Sequence, residues 1–148
     1  MVDEMLEELS EQVCLGLLHG TVVGRIAVVV DHFPVVVPVN YRLVELGGAP
    51  AIVLCTRPGN VIDSGATKVA LQIDGIDPTY HCGWSVLERG LLHHLDAKVV
   101  AALREQLEPL SWVTEGRDSW LAIEELCITG RRLRAADVQW AFHIGGYL

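Results

Sequence analysis

The sequence predicts a mainly β domain with flanking helices, built as a small antiparallel barrel. Three observations carry this expectation. The run 24–60 holds three Val/Ile-rich segments in succession, joined by tight turns. Further short β-prone stretches follow it, separated by Gly-, Pro- and Asn-containing turns. Only two stretches carry helical periodicity with recognisable ends. At 148 residues the chain reads as one domain, 1–148, long enough to bury a core without staples.

The elements follow in order. Residues 10–19 predict a helix, with Ser10 as N-cap, Gly20 as stop and Val13, Cys14, Leu17 and Leu18 on one face. Residues 21–30 predict the first strand and, after a turn at 31–34, residues 34–40 the second. Pro34 and Pro38 cannot donate ladder hydrogen bonds, so the second strand belongs at a sheet edge or carries a bulge. Gly47-Gly48 marks a turn within 46–50, and 51–56 is the third strand. Residues 57–66 read as a polar loop containing a helical turn. Residues 68–74 predict a strand, 75–83 a loop and 84–95 a long strand. Asp96 caps a second helix through Leu107, whose buried face is Val99, Val100, Leu103 and Leu107. Two more strands, 120–123 and 126–133, complete the sheet. The aromatic, Gly-rich tail 140–148 is expected to dock on its own chain or on a partner.

Composition narrows the function classes. A net charge of −8 argues against a nucleic-acid partner. The one basic cluster, Arg131, Arg132 and Arg134, reads as a solvated strand end. No apolar run reaches the roughly 18 residues that a membrane-spanning helix requires, so no membrane partner is expected. The acidic start (Asp3, Glu4, Glu7, Glu8) does not resemble a secretory signal. Four cysteines without a C-x-x-C fit small apolar residues in a reducing, cytoplasmic protein. A 51% hydrophobic content and a mean hydropathy of +0.35 are high for so short a chain, which points to apolar surface buried between subunits.

Familiar catalytic patterns are missing. Ser85 lacks the glycine two residues later that a nucleophile elbow needs, because Leu87 stands there. His81-Cys82 and His93-His94 are adjacent pairs, and adjacent strand residues face opposite ways, so they read as structural or surface groups rather than metal ligands. Neither a dinucleotide fingerprint nor a P-loop is present. Three residues keep two readings each. Asn40 suits a plain strand-end turn or a ligand contact. Trp84 suits a core or interface aromatic or a ligand contact. Arg25 either faces solvent or pairs with an anionic ligand or an interface carboxylate.

Five pieces occur in a telling order. They are Gly24-Arg25-Ile26-Ala27-Val28, Pro38-Val39-Asn40-Tyr41, Ile73-Asp74-Gly75, the stretch from Gly83-Trp84-Ser85-Val86 to Gly90, and Ile128-Thr129-Gly130-Arg131-Arg132. Together they resemble the pyridoxamine 5′-phosphate oxidase-like family of FMN-binding split β-barrels, in its nitroreductase and nitroimidazole-resistance-like branch. The resemblance covers about the first nine-tenths of the chain. It implies a homodimeric split antiparallel barrel with a small-molecule ligand, FMN, at each subunit interface. In that scheme Pro38, Val39, Asn40 and Tyr41 lie along the isoalloxazine, and Thr56, Arg57 and Asn60 lie near the phosphate. Trp84 and Ser85 reach toward the site, in one version from the partner chain, and Arg25 is a further candidate contact.

The phosphate loop departs from the family pattern. Where the family has Arg-Thr-x-x-Gly-Ser/Thr-Lys, this chain has Cys55-Thr56-Arg57-Pro58-Gly59-Asn60-Val61. A phosphate monoester carries about two negative charges near neutral pH and is usually met by Arg or Lys. Arg57 and Lys68 are the candidates to replace the missing cations. The resemblance therefore implies one of two functions. One is an FMN-dependent oxidoreductase that passes hydride from a reduced nicotinamide, through the flavin, to a small electrophile or O2. The other is a degenerate barrel with weak or no FMN binding that holds a deazaflavin or haem, or acts as a stress-related binding protein, without turnover.

Overall fold

The computed structural model describes residues 5–63, 67–107 and 109–135. Its elements are β1 (Leu6–Leu9), α1 (Glu11–Gly20), β2 (Val23–Val30), β3 (Phe33–Asn40), β4 (Arg42–Leu46), β5 (Ala49–Thr56), β6 (Lys68–Asp77), β7 (Cys82–His94), α2 (Ala97–Gln106) and β8 (Ser119–Leu133). The strands form one antiparallel sheet in the order β3-β2-β6-β7-β8-β5-β4, with β1 added to β8. The two ends of that order, β3 and β4, are separated in the chain by Tyr41 alone. The sheet thus curls round and closes by covalent continuity instead of a hydrogen-bonded ladder, and this is the expected split barrel.

The interior follows from strand alternation. Ile26 and Val28 of β2, Leu71 and Ile73 of β6, Val86 of β7 and Leu121 and Ile123 of β8 are all buried in one cluster. Helix α1 joins it with Cys14 and Leu18, which have no exposed surface. Ser10 caps α1 by accepting from the Val13 N–H at 3.3 Å. Val13 itself is exposed and Leu17 only half-buried, so the packed face of α1 is narrower than the periodicity predicts. A second cluster, Val53, Leu103, Trp120 and Ala122, lies between α2 and the other face of β5 and β8. Strands β5 and β8 are therefore covered on both faces, which explains why 51–56 reads as an unbroken apolar run.

The two prolines behave as edge residues should. Strand β3 ends the sheet order and pairs only with β2. The β2–β3 hairpin turns on Asp31 and His32, both at positive φ (49° and 67°), so β3 begins at Phe33 and the turn is shorter than 31–34. Gly47 and Gly48 (φ 59° and 84°) make the equivalent turn between β4 and β5.

Several boundaries differ from expectation. Strands β1 and β4 were not predicted. One is acidic and four residues long, and the other is polar at Arg42 and Glu45 and follows Asn40, which reads as a strand end. Residues 75–83 are mostly ladder, not loop: Gly75 pairs with Trp84 and Gly83 with Ile76. A Cβ on Gly75 would lie 2.7 Å from Trp84 Nε1, so this glycine makes room for the indole rather than marking a turn. The two predicted C-terminal strands are one continuous β8. The break read at Glu124-Glu125 is a local irregularity, with Glu125 at φ 56° and the β7–β8 register slipping between Arg89 and Leu91. Helix α2 is capped by Asp96, which accepts from Lys98 and Val99, and buries Leu103 as expected. Cys127 is an exception to the apolar reading of the cysteines, since it is exposed and accepts from Arg89 Nη2 at 3.5 Å. The tail 140–148 lies outside the described residues.

Candidate functional site

The end of β3 and the loop after β5 meet across a cavity of about 250 Å³. Pro38, Val39 and Asn40 form one wall, and Thr56, Asn60 and Val61 form another. The loop is a compact built turn. Gly59 sits at φ 78°, and Asn60 Oδ1 accepts from the N–H groups of Ile62 and Asp63 at 3.0 Å each. Asn60 Nδ2 in turn donates to Thr56 Oγ1, whose residue is almost fully buried. Asp63 fastens the turn from below, accepting from Gly59 N at 2.6 Å, from Ser119 Oγ and from His94 Nε2 at 2.6 Å. The Ser119 hydroxyl, the Gly59 amide and His94 together hold the Asp63 carboxyl down to about 2.

Asn40 has a structural partner beyond its strand. Its Oδ1 accepts from the Trp112 N–H at 3.0 Å, which ties the loop between α2 and β8 onto the end of β3. That loop brings Ser111 and Arg117 into the cavity wall. Arg117 was not among the residues expected from the sequence. It reaches the site because Thr56 pairs with Ser119, so the residues entering β8 lie opposite those leaving β5. Arg57, one expected replacement cation, is exposed. A Cβ on Gly116 would stand 3.8 Å from its Nε, so it lies beside the same loop. Cys55, which shares the cavity wall with Arg117, is half-buried, and burial pushes its thiol up to about 12 against the pull of Arg104 and Arg117. The cavity wall therefore carries one cation, Arg117, and a neutral thiol.

The remaining expected residues are placed elsewhere. Lys68 lines a different groove, of about 510 Å³, with Val29, Arg89 and Glu125. It does not join the phosphate loop, because β6 starts on the far side of β2 from the β3 edge. Trp84 and Ser85 line a third groove, of about 450 Å³, with Leu6, Ile76, Arg131 and Leu133. Arg25 is exposed and bonds within its own chain to Gln72 (3.1 Å) and Asp74 (3.4 Å), so its partner is a carboxylate of the neighbouring strand. The Tyr41 side chain is fully buried and donates from its hydroxyl to the Leu18 carbonyl at 2.8 Å. It pins α1 to the barrel, and burial pushes its phenol up to about 12. Its amide donates to the Val22 carbonyl at 3.1 Å and its carbonyl accepts from Arg42 Nη1 at 2.9 Å, so Tyr41 does not join the cavity wall where the resemblance places it.

As chemistry, the cavity offers the open backbone edge of β3 to a planar polar group and a guanidinium to an anion. Among the described residues no group of three or more His, Cys, Asp or Glu is placed to hold a metal ion.

Comparison with known proteins agrees with the architecture. The family model described as pyridoxamine 5′-phosphate oxidase matches residues 10–132. An uncharacterised protein of Mycobacterium tuberculosis is 30% identical over 132 residues, covering 86% of each chain. The structure of an FAD-binding protein from Mycobacterium smegmatis superposes with a TM-score of 0.71 at 28% identity, covering 88% of this chain and all of that one. An FAD-binding protein from Mesorhizobium loti shares the fold at 21% identity and a TM-score of 0.64, covering 86% of this chain and 98% of that one. The split barrel, its ordered sequence pieces and the match over 10–132 together show that this chain belongs to the pyridoxamine 5′-phosphate oxidase-like family of flavin-binding split barrels.

Proposed function

We propose that this protein is a homodimeric, FMN-dependent oxidoreductase that moves hydride from a reduced nicotinamide to a small electrophile or O2. The observation that carries the reading is the cavity where Pro38–Asn40 and Thr56–Val61 converge with a guanidinium in its wall. The backbone edge of β3 suits the hydrogen-bonding rim of an isoalloxazine, and the turn at 57–60 with Arg117 suits the ribityl phosphate. Bound flavin supplies the two-electron chemistry, and the chain supplies orientation and electrostatics. The likeness to an FAD-binding protein at 28% identity supports a flavin ligand.

The size of the cavity supports a shared site. About 250 Å³ lies below the 300–1,000 Å³ usual for pockets that enclose a ligand. One protomer then holds one end of the flavin, and a second covers the rest. The outer surface has apolar groups for such a contact, including Phe33 (73% exposed), Ile76 (72%) and Val36 (60%). Trp84 and Ser85, which line a separate groove in one protomer, fit the arrangement if they serve the partner's site. A second reading, a degenerate barrel with weak or no FMN binding that holds another ligand, a deazaflavin or haem, without turnover, is favoured by Cys55 and Val61, which leave the phosphate loop poorer in charge than the family pattern.

The test is a visible spectrum of the freshly purified protein, titrations with FMN and FAD, and sedimentation. A yellow dimer, or micromolar binding that quenches flavin fluorescence, is expected. A colourless protein indifferent to both flavins overturns the reading, and a stable monomer that binds flavin overturns the shared site.

A further inference from the structure

We infer that Arg117, with Arg104 behind it, holds the phosphate of the ligand in place of the basic residues that the loop after β5 lacks. The inference rests on the flavin reading for the identity of the ligand, but the anion site stands on its own geometry. Arg117 lies in the wall common to two neighbouring cavities, of about 250 and 300 Å³, which also share Cys55 and Ser111. Its Nε is buried and has no hydrogen-bond partner. A buried guanidinium N–H without an acceptor is unusual, because five fixed donors make Arg the natural partner of a phosphate or carboxylate oxygen.

The surroundings leave the Arg117 side chain, which lines both cavities, without a competing carboxylate. Among the described residues, Arg117, Arg104 and Arg57 form no ion pair; the ion pairs present involve Arg25, Arg132, Arg134, His93 and His94. Asp118 lines the second cavity without pairing to either arginine there. Cys55, between the two arginines, is neutral near physiological pH. Arg104 is steered by its stacking over Trp120, 5.5 Å from the ring centroid, and lines the second cavity with Thr114 and Ser111. The result is a cationic recess opening from the cavity beside Thr56 and Asn60. It suits a phosphate monoester at Arg117, or a diphosphate reaching from Arg117 to Arg104.

The experiment compares riboflavin, FMN and FAD on the full-length wild type, Arg117→Met, Arg117→Lys and Arg104→Met, with circular dichroism to confirm folding. Riboflavin lacks the phosphate and reports the ring site alone. Arg117→Met is expected to lower FMN affinity at least about tenfold while leaving riboflavin unchanged, with Arg117→Lys recovering part of the loss. Loss on Arg104→Met for FAD but not FMN identifies a diphosphate occupant, and equal loss for both identifies a monophosphate. An unchanged FMN-to-riboflavin affinity ratio in Arg117→Met overturns the assignment and leaves the flavin reading intact. If no flavin binds at all, titration with inorganic pyrophosphate decides. Binding that Arg117→Met abolishes supports the anion site while the flavin reading fails, and absence of binding overturns the site as well.

Discussion

Val61 stands between Asn60, whose side chain closes the turn after β5, and Ile62, which is buried in the barrel core. It lines the same cavity as Thr56 and Asn60, at the position where the family pattern has a lysine. A lysine there can extend its stem along the apolar wall and bring its ammonium to the cavity. Val61→Lys is therefore expected to tighten FMN about tenfold or more, in line with one added charge-assisted hydrogen bond, and to leave riboflavin unaffected. Fluorescence titration of both ligands checks this, and equal effects on the two would show that the loop does not face the phosphate. Residue identity made this position legible in the sequence, because a pattern with a missing lysine points to its own gap. Arg117 was not legible in the same way. Its approach depends on the pairing of Thr56 with Ser119, a contact between residues 63 positions apart that no local signal announces.

At the scale of elements, the loop 57–63 is held by one carboxylate. Asp63 receives hydrogen bonds from the loop itself, from His94 at the end of β7 and from Ser119 at the start of β8, so it ties three pieces of backbone at the mouth of the cavity. Its folded pKa, about 2, is below the ordinary 3.8. A depressed carboxyl contributes stability that is present above the unfolded value and is lost as pH falls from about 4 toward 2. Asp63→Asn keeps the shape but removes the charge and weakens three acceptor contacts. Faster amide exchange at 59–63 and weaker FMN binding are expected near neutral pH. The stability gap to wild type should narrow as pH falls from 4 to 2, and a gap unchanged across that range would assign the role to shape alone. Element types were readable where the pattern is strong, in the apolar runs of β2 and β5 and the helical periodicity of α2. They failed at β1, at β4 and at the junction 75–83 between β6 and β7, where short length, interspersed charge and a strand glycine masked the pairing. Gly75 illustrates the last case: the same residue that signals a turn in sequence serves here as the seat for Trp84.

In the molecule as a whole, one buried carboxyl among the described residues is left unsatisfied by the barrel interior. Glu88 is fully buried, points inward between Val86 and Leu92 of β7, and is flanked across the ladder by Leu71 and Ile128. Neither carboxyl oxygen has a hydrogen-bond partner, and burial alone pushes the group up to about 7. Glu88 was not legible as a core residue, because a charged side chain in a strand is expected to face solvent. A raised carboxyl has the opposite linkage to Asp63. The unfolded chain ionises first, near 4.5, so stability is complete below that value, falls as pH rises to about 7 and is flat above it. A difference of about 2.5 pKa units corresponds to about 3 kcal/mol, a large share of the stability of a domain this size. Glu88→Gln removes the titration. Urea unfolding of wild type and variant should give similar stabilities near pH 4.5 and a variant more stable by about 3 kcal/mol at pH 8. Parallel profiles would mean that the Glu88 carboxylate finds a partner inside the barrel. Because the Asp63 and Glu88 windows lie on opposite sides of about pH 4, the acid limb of the stability curve reports the mouth of the cavity and the neutral limb reports the barrel interior.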